Sequence, residues 1–296
     1  MVTDQLLWQL QVEVAKPYNL KDMIEKFIAI YVFIDDIMIE IGHKEPVNRN
    51  SSDSELIAVA LLAAKYFHGN IDHAISFVKS TNLLPGMLSK SRFNRRIHSI
   101  FELIVDLFLN TADIIKRLNI SSEYIIDSFP VATCENIRIC RSRLIKGKQY
   151  RGYKPSMRKY FYGFTVQVIT TVDGIPVEFA MLPGCYHDID GMKNMFFNLP
   201  EDSTVYGDSA YTDYYYEQVC SEAESIKLMI ARKSNTKQPH EPWQNFLISD
   251  SRKRIETTFS QISSMFPKRI HAVTPDGFLM KVILFIFVFT INEKFL

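Results

Sequence analysis

Three acidic residues in separate segments of the chain carry side chains that could share a metal cation. The first, Asp127, lies in the stretch 123–134, where two-residue alternation places it on one strand face with Ile125, Phe129 and Val131. An ionised carboxylate among apolar side chains is costly to bury unless a cation or strong hydrogen-bond donors meet it. The alternative is an aspartate at the end of a strand that caps the following turn.

Two further acids are candidates for the same cation site. Asp208 follows a short apolar strand, and Gly207 lets another group approach the backbone closely; the alternative role for Asp208 is to cap the next helix. Glu256 lies at the edge of the apolar stripe of a helix predicted over residues 250–266. Arg252, one turn earlier on the same side, either forms a weak surface ion pair with Glu256 or orients it and meets a phosphate.

The segment 137–159, named the basic block here, contains nine cations and no acid. Tyr150 and Tyr153 are interleaved with these cations and could stack on bases. Such an excess of positive charge favours contact with a nucleic-acid backbone over a merely solvated loop. The cations assigned to this contact are Arg138, Arg141, Arg143, Lys146, Lys148, Arg151 and Lys154, and the block also holds Arg158 and Lys159.

The charges of the chain are strongly segregated. The net charge over 296 residues is only +1, yet residues 119–159 carry nine Lys and Arg against three Asp and Glu, and residues 160–250 carry five against thirteen. A basic segment beside an acidic one suits a protein that binds a polyanion and also holds cations. The 47% hydrophobic and 23% charged residues are typical of a soluble globular protein, and the length suggests two domains.

Residues 1–118 have the hydrophobic periodicity of helices. On a long helix predicted over residues 89–109, Arg92, Arg95 and Arg96 share one face. A short helix, a turn and this basic helix resemble a helix-turn-helix reader of the DNA major groove, although the turn is about nine residues long. The alternative is an ordinary amphipathic helix with a solvated basic face. We expect the helical region to bind DNA.

From residue 119 onward the hydrophobic period shortens towards two, which is typical of strands. Strands are predicted at 124–134, 160–172, 175–182, 204–208 and 226–231, and helices at 190–198, 213–223 and 250–266. This order, β-β-β-α-β-α-β-α, is that of the ribonuclease H-like fold, a mixed sheet flanked by helices. In that fold the first and fourth strands are adjacent and parallel, ~4.8 Å apart, so Asp127 and Asp208 could bracket one metal ion.

Several motifs together resemble those of DDE transposases, and most nearly those of the insertion-sequence 982 family. They are YIIDSFP, VYGDSAY and RKRIETTFSQI, with PGCYHDIDG between the first two, and the resemblance extends over nearly the whole chain. In that family three acids hold two divalent metals, and the matching positions here are Asp127, Asp208 and Glu256. Ser249 and Ser263 stand where related enzymes carry a Tyr and a Lys, so those two roles are not carried over.

The resemblance implies the chemistry of phosphodiester cleavage and strand transfer. Two metal ions ~3.5–4 Å apart can activate a water or a 3′-hydroxyl and stabilise the leaving oxygen. Oxygen ligands favour Mg²⁺ or Mn²⁺, and no cluster of Cys and His in the sequence argues for zinc. His187 and Asp188 also match a family feature, to which we assign no role beyond capping of the next helix.

The function implied is that of a DNA transposase that cuts at the ends of its own mobile element and joins them to a target. Its partners would be the terminal inverted repeats and target DNA, bound by a homodimer. We expect a DNA-binding region over residues 1–118 and a catalytic domain over residues 119–296, with the basic block as an insertion. Two alternatives stay open: a ribonuclease H-like nuclease or resolvase, and a non-catalytic DNA-binding protein derived from a transposase.

Cysteine usage and hydropathy indicate the cellular setting. The four cysteines form no C-x-x-C pair and the N-terminus lacks a signal-peptide pattern, so we expect a cytoplasmic protein, and the resemblance places it on bacterial chromosomal DNA. The apolar run 282–289, within residues 278–291, is shorter than the ~18–20 residues that a membrane span needs. We expect no membrane association, and a buried helix or strand that packs on the catalytic domain.

Overall fold

Helices make up the first part of the chain and a mixed sheet the middle in the computed structural model, which describes residues 19–46, 49–154, 158–195 and 197–296. The N-terminal segment in which we sought a signal peptide and residues 155–157 of the basic block lie outside these ranges.

In chain order the helices are α1 (Leu20–Glu40), α2 (Asp53–Tyr66), α3 (Ile71–Ser80), α4 (Lys90–Ser99), α5 (Phe101–Leu118), α6 (Asp188–Asn194), α7 (Tyr214–Ala223), α8 (Pro242–Met265) and α9 (Pro275–Phe295). The strands are β1 (Glu123–Cys134), β2 (Arg151–Lys154), β3 (Lys159–Thr171), β4 (Pro176–Pro183), β5 (Thr204–Gly207) and β6 (Lys227–Ile230).

The sheet has the order β2-β3-β1-β5-β6, and β4 pairs with β3. Strand β1 runs antiparallel to β3 and parallel to β5, and β5 runs parallel to β6. The adjacent, parallel first and fourth predicted strands are therefore confirmed, and the mixed sheet with its helices fits a ribonuclease H-like fold. Strand β2, inside the basic block, was not predicted from the sequence. It is short and pairs with the first residues of β3.

The single helix predicted over residues 89–109 is wrong, because the chain breaks into α4 and α5 at Ile100. The backbone of Ile100 has φ −112° and ψ 24°, outside helical values. The hydroxyl of Ser99 donates to the carbonyl of Arg96 (2.8 Å), the acceptor that the Ile100 N–H also uses (3.2 Å). Competition of this kind by a serine side chain weakens a helix at that turn.

The C-terminal apolar run forms α9, which is buried on all sides from Phe278 to Ile291, as a helix without a polar face must be. Its aromatic rings pack on the N-terminal helices: Phe287 lies edge-on to Phe108, with ring centroids 5.8 Å apart. A side chain at Gly69 would meet the ring of Phe285. Phe285 also packs on Phe266, which lies in the predicted catalytic region 119–296, with ring centroids 4.8 Å apart. Burial of the run is thus confirmed, and its packing on a catalytic domain stays a prediction. No helix among the described residues is long and apolar enough to cross a membrane.

The chain forms two compact units. The first comprises Met1–Thr111, Ser264–Ile270 and Asp276–Leu296, and the second comprises Ala112–Ser263 and His271–Pro275. The first unit contains the basic helix α4 and the second contains the whole sheet. The functional division at residue 118, between a DNA-binding region and a catalytic domain, stays a prediction.

Candidate active site

The first aspartate lies where β1 extends beyond its parallel neighbour. The pairing of β1 with β5 ends at Ile125 and Tyr206, two residues before Asp127 and two before Asp208. Both carboxylates thus follow the carboxyl end of the paired region of two adjacent parallel strands. This edge is where side chains from neighbouring parallel strands converge and where ligands bind in open α/β sheets.

The pKa of Asp127 is perturbed by burial and by neighbouring charges. Burial raises its pKa from 3.8 to about 6, against the lowering effects of Lys154 and of the Ser128 N–H, which donates to Oδ1 at 2.7 Å. The charges of Asp208 and Asp188 raise the pKa further. Asp127 is therefore close to two other carboxylates, one of which the sequence analysis had not placed in the site.

The Asp208 carboxylate also caps the turn that follows it. Its Oδ1 accepts the N–H of Ala210 at 2.8 Å and so caps the 3₁₀ turn Ser209–Tyr211. The alternative role considered for this residue, the N-cap of the following helix, belongs instead to Asp213, whose side chain accepts from Tyr216. One oxygen of Asp208 is thus occupied by the turn, which fixes the direction of the carboxylate.

Lys154 belongs to the acid cluster rather than to the exposed surface. Its Nζ donates to the carbonyl oxygen of Ser128 at 2.9 Å and lies 3.1 Å from the Ser128 hydroxyl oxygen. Its positive charge lowers the pKa of Asp127. Lys154 was predicted to contact DNA, and the structure places it beside the carboxylates, half-buried.

Asp188 is the residue that sequence reasoning missed. The Ser128 hydroxyl donates to its Oδ1 at 2.5 Å, a length typical of a hydrogen bond to a charged oxygen. The side-chain amide of Gln167, opposite Ser128 in the sheet, donates to the Asp188 backbone carbonyl at 3.3 Å. The sequence signal was the HD pair in PGCYHDIDG, for which helix capping was an adequate explanation.

A fully buried tyrosine adjoins the three aspartates. Tyr211 is 0% exposed, and its hydroxyl has no hydrogen-bond partner among the described residues. Burial raises its pKa well above the ordinary value, and the charges of Asp188, Asp127 and Asp208 raise it further. The side-chain amide of Gln167 lies close enough to offset part of this rise, and Gln167 Oε1 has no hydrogen-bond partner among the described residues.

Glu256 comes from α8 and is not joined to either aspartate by a hydrogen bond or ion pair among the described residues. Its carboxylate is 64% exposed and lies 3.7 Å from Arg252, the surface pair considered from the sequence. One turn later on the same stripe, Phe259 packs on Phe129 of β1, with ring centroids 4.7 Å apart. Phe129 is two residues from Asp127 on the same strand face, so this turn of α8 packs on the face of β1 that carries Asp127.

A second stripe of α8 fixes how the helix crosses the sheet. The Thr258 hydroxyl donates to the Gly174 carbonyl at 2.9 Å, and Arg254 Nε donates to the Asp173 carbonyl at 2.6 Å. These carbonyls belong to the β3–β4 turn, at the end of the sheet where β1 begins. These two hydrogen bonds hold α8 against the start of β1.

Most of the basic block is exposed. Arg138, Arg141, Arg143, Lys146, Lys148 and Arg151 are all classed as exposed. Arg138 has a weak partner just outside the block, the carboxylate of Glu135 at 3.8 Å. The two interleaved tyrosines differ: Tyr150 packs edge-on to Phe164, whereas Tyr153 stacks on Tyr160 (4.6 Å) and stays exposed.

The three arginines of α4 also differ from one another. Arg92 and Arg95 are exposed. Arg96 is directed into the first unit, where it donates to Asp53 from Nε (3.0 Å) and Nη2 (2.6 Å) and to Glu45 (3.2 Å). Its guanidinium is thus occupied, and DNA contact by this helix would depend on Arg92 and Arg95.

Asp53 lies at the centre of a second acid cluster, named the Asp53 cluster here. Ligand atoms of His43, Glu45 and Asp53 lie within 4.8 Å of one another, close enough to hold a metal ion. The Asp53 carboxylate already accepts from Arg96, from Arg49 at 3.0 and 3.1 Å and faces His43 at 3.1 Å. Two guanidinium groups balance its two carboxylates, so the residues present fit an ion-pair network better than a metal site.

The aspartates of the second unit offer the type of ligand that a divalent ion prefers, but among the described residues only the Asp53 cluster has three such ligand atoms within 4.8 Å of one another. Carboxylate oxygens are the ligands of hard cations such as Mg²⁺ and Mn²⁺. Around Asp127, the charge of Lys154 lowers the pKa and the charges of Asp208 and Asp188 raise it. We name Asp127, Asp188 and Asp208 the aspartate cluster.

Comparison with known proteins agrees with this chemistry. Residues 118–270, just over half of the chain, match the family model described as a transposase DDE domain. No curated protein and no solved structure matches. The matched segment contains the aspartate cluster, the basic block and Glu256. The chain belongs to the family of transposase DDE domains.

Proposed function

We propose that this protein is a DNA transposase that cuts DNA at the ends of its own mobile element and joins them to a target. Family membership supports an enzyme that acts on DNA and uses divalent metal. The observation that carries the finer proposal is the position of Asp127 and Asp208, each two residues beyond the last paired residues of two adjacent parallel strands. The charge of Asp208 contributes to the raised pKa of Asp127.

In this proposal Asp127, Asp208 and Glu256 hold two Mg²⁺ or Mn²⁺ ions. When bound, the ions activate the attacking water or 3′-hydroxyl and stabilise the leaving oxygen. Asp127 is oriented by the Ser128 N–H, and Lys154 favours its ionised form, the form that binds a cation. Two contacts support a role for Glu256: Phe259, one turn later on α8, packs on Phe129 of β1, and Arg252 lies 3.7 Å from the Glu256 carboxylate.

In this proposal the bound DNA contacts the exposed cations. The basic block supplies Arg138, Arg141, Arg143, Lys146, Lys148 and Arg151, none of which is buried. We propose that they neutralise backbone phosphates near the active site, while Arg92 and Arg95 of α4 contact the element end. Membership of the insertion-sequence 982 family, a homodimer on the terminal inverted repeats, and a cytoplasmic site of action on bacterial DNA complete the proposal.

The test is to incubate the protein with DNA of the flanking element ends and Mn²⁺ and to map the products. We expect nicks at the element boundary and joining of that end to target DNA. Cleavage without joining would favour a nuclease or resolvase, and binding without cleavage would favour a non-catalytic derivative. Asp127→Asn, Asp208→Asn and Glu256→Gln should each lower the rate by at least about a thousandfold, ~4 kcal/mol of transition-state stabilisation, and still bind the ends.

The matched control is Asp190→Asn, on an exposed position of the same acidic helix start as Asp188. It should cleave at close to the wild-type rate. Near-normal cleavage by Asp127→Asn would overturn the proposed centre, and near-normal cleavage by Glu256→Gln would remove that residue from it.

A further inference from the structure

We propose that a polar cavity at the end of β5 and β6, named the lysine cavity here, binds a backbone phosphate of the DNA strand held at the active site. This inference rests on the proposed function and adds a second DNA contact to it. The cavity has a volume of about 360 Å³, within the range of about 300–1,000 Å³ that is common for ligand sites.

The lysine cavity lies at the carboxyl ends of two neighbouring parallel strands. Strands β5 and β6 are paired up to their last residues, Gly207 and Ile230. One wall is formed by the 3₁₀ turn that Asp208 caps and by the start of α7, and the other by the loop 233–237 after β6. Ligands in open α/β sheets bind outside the carboxyl ends of the strands. One wall of the cavity is thus fixed by a proposed metal ligand.

Contacts between the two walls hold the cavity open without a ligand. The hydroxyl oxygens of Tyr214 and Thr236 lie 2.6 Å apart and join the start of α7 to the loop. The Thr236 N–H donates to the Lys233 carbonyl at 3.0 Å, which closes a turn in that loop. Arg232 lies over the Tyr214 ring at 4.7 Å, and Glu217 accepts two hydrogen bonds from it. A site that is shaped before binding loses less conformational freedom when its ligand binds.

The charge of the lysine cavity is opposite to that of the segment around it. Residues 160–250 carry five Lys and Arg against thirteen Asp and Glu, yet no acidic side chain of the described residues lines the cavity. Two of these five cations are already neutralised. Lys193 is paired with Asp213. Arg232 is paired with Glu217.

The other three cations are Lys227, Lys233 and Lys237, which are exposed and have no ion pair among the described residues. Lys233 and Lys237 line the cavity, whereas Lys227 lies at the amino end of β6. The Asn235 amide and the Thr236 hydroxyl complete the lining of the loop side. Ammonium, amide and hydroxyl groups are the groups with which proteins contact DNA phosphates. The cavity therefore offers a phosphate two uncompensated positive charges.

The alternative is a pair of solvated surface lysines without a ligand. Single exposed lysines are usual on proteins, but these two share a cavity with polar groups from two separate segments. In the sheet order, β6 lies on the other side of β1 from β2, the strand within the basic block. A DNA strand that crosses the active site would thus be held on both sides of the strand that carries Asp127.

The test measures the affinity of the full chain for DNA of the flanking element ends as the salt concentration changes. Each phosphate contact contributes about one unit to the slope of log affinity against log salt, so Lys233→Ala combined with Lys237→Ala should reduce the slope by about two units. The matched control is Lys227→Ala, which removes an exposed, unpaired lysine outside the cavity and should leave the slope unchanged. An unchanged slope in the double variant, or an equal loss per lysine in the control, would overturn the inference.

The triple variant Arg138→Ala, Arg141→Ala, Arg143→Ala in the same assay separates the two levels. If it reduces the slope and the double lysine variant does not, DNA contact by the basic block stands and only the lysine cavity is lost. If the wild-type chain does not bind the element ends, the proposed function itself fails.

Lysine acetylation of the unmodified protein covers the case in which the double variant does not fold. An acetyl ester of N-hydroxysuccinimide modifies exposed lysines, and mass spectrometry measures each site with element-end DNA, with inorganic phosphate and with neither. Protection of Lys233 and Lys237 by the DNA, with Lys227 still reactive, supports the inference. Protection by inorganic phosphate but not by DNA would assign the cavity to a free phosphate and contradict it, as would the absence of any protection.

Discussion

Two acid clusters in this molecule differ in how their charge is balanced. In the first unit, Asp53 and Glu45 face Arg49 and Arg96, and the Asp53 carboxylate is 3% exposed with several donors on it. In the second unit, Lys154 lowers the pKa of Asp127, while the charges of Asp208 and Asp188 raise it, and no guanidinium pairs with Asp127 among the described residues. Close spacing of ligand atoms alone indicates the Asp53 cluster as a metal site. Charge balance instead indicates the aspartate cluster as the metal site and the Asp53 cluster as a structural ion-pair network.

The difference teaches that neutralisation, more than proximity, separates a structural cluster from a reactive one. A carboxylate that already receives two guanidinium groups gains little from a cation and would first have to release them. Asp127 differs, because burial and neighbouring carboxylates raise its pKa to about 6. A bound cation would stabilise its ionised form and reduce the repulsion between the carboxylates. Perturbed acids of this kind are concentrated at functional sites.

The largest effect that this comparison predicts is on stability. Arg96→Ala leaves the buried Asp53 carboxylate with fewer donors, and we expect the free energy of unfolding to fall by about 3–5 kcal/mol. Urea denaturation measures it, with the exposed neighbour Arg95→Ala as the control, which should change stability by less than about 0.5 kcal/mol. Equal effects of the two changes would remove the structural role assigned to the Asp53 cluster.

The same experiment on the aspartate cluster should give the opposite sign. Since the pKa of Asp127 is higher in the folded protein than in the unfolded chain, the folded state loses stability as pH rises from about 4 to 6. Without metal, Asp127→Asn should therefore stabilise the protein by up to about 3 kcal/mol at pH 7 and by nearly nothing at pH 4. A loss of stability at pH 7 would mean that the charge of Asp127 is paired in the fold.

The smallest expected effect concerns the cations. Like the acids, some of them lie in ion pairs and others do not. Arg138, Arg141 and Arg143 are exposed in the basic block, so replacing all three by Ala should reduce the slope of log affinity for DNA against log salt by roughly three units. Lys21→Ala, which removes a cation paired with Glu25, is the control and should leave the slope unchanged. An unchanged slope in the triple variant would place the DNA contact elsewhere.

Much of the sheet could be predicted from the sequence, because its period-2 alternation and the Asp173-Gly174 turn are local signals. The adjacency of β1 and β5 followed from the order of elements, and with it the convergence of Asp127 and Asp208. The break at Ile100 was missed because the competition between the Ser99 hydroxyl and the Ile100 N–H depends on one side-chain rotamer. Strand β2 was not predicted, because it lies among the charged residues of the basic block.

The rest depends on long-range contacts that a single sequence does not show. Arg96 and Arg95 are neighbours in the same basic helix, and only the position of Asp53, 43 residues away, separates their roles. Asp188 is 60 residues from Ser128 and has an adequate local role as a helix acid. Lys154 lies among exposed cations in sequence, yet its ammonium reaches the aspartate cluster.

The most direct test of the central claim is a Mn²⁺ titration of Asp127→Asn and of Glu45→Gln, each compared with the wild-type protein. Both changes remove one carboxylate charge, one from the aspartate cluster and one from the Asp53 cluster. We expect Asp127→Asn to lose Mn²⁺ binding and metal-dependent cleavage and Glu45→Gln to keep both. Retention of Mn²⁺ binding by Asp127→Asn together with its loss in Glu45→Gln would contradict the account and assign the metal to the Asp53 cluster.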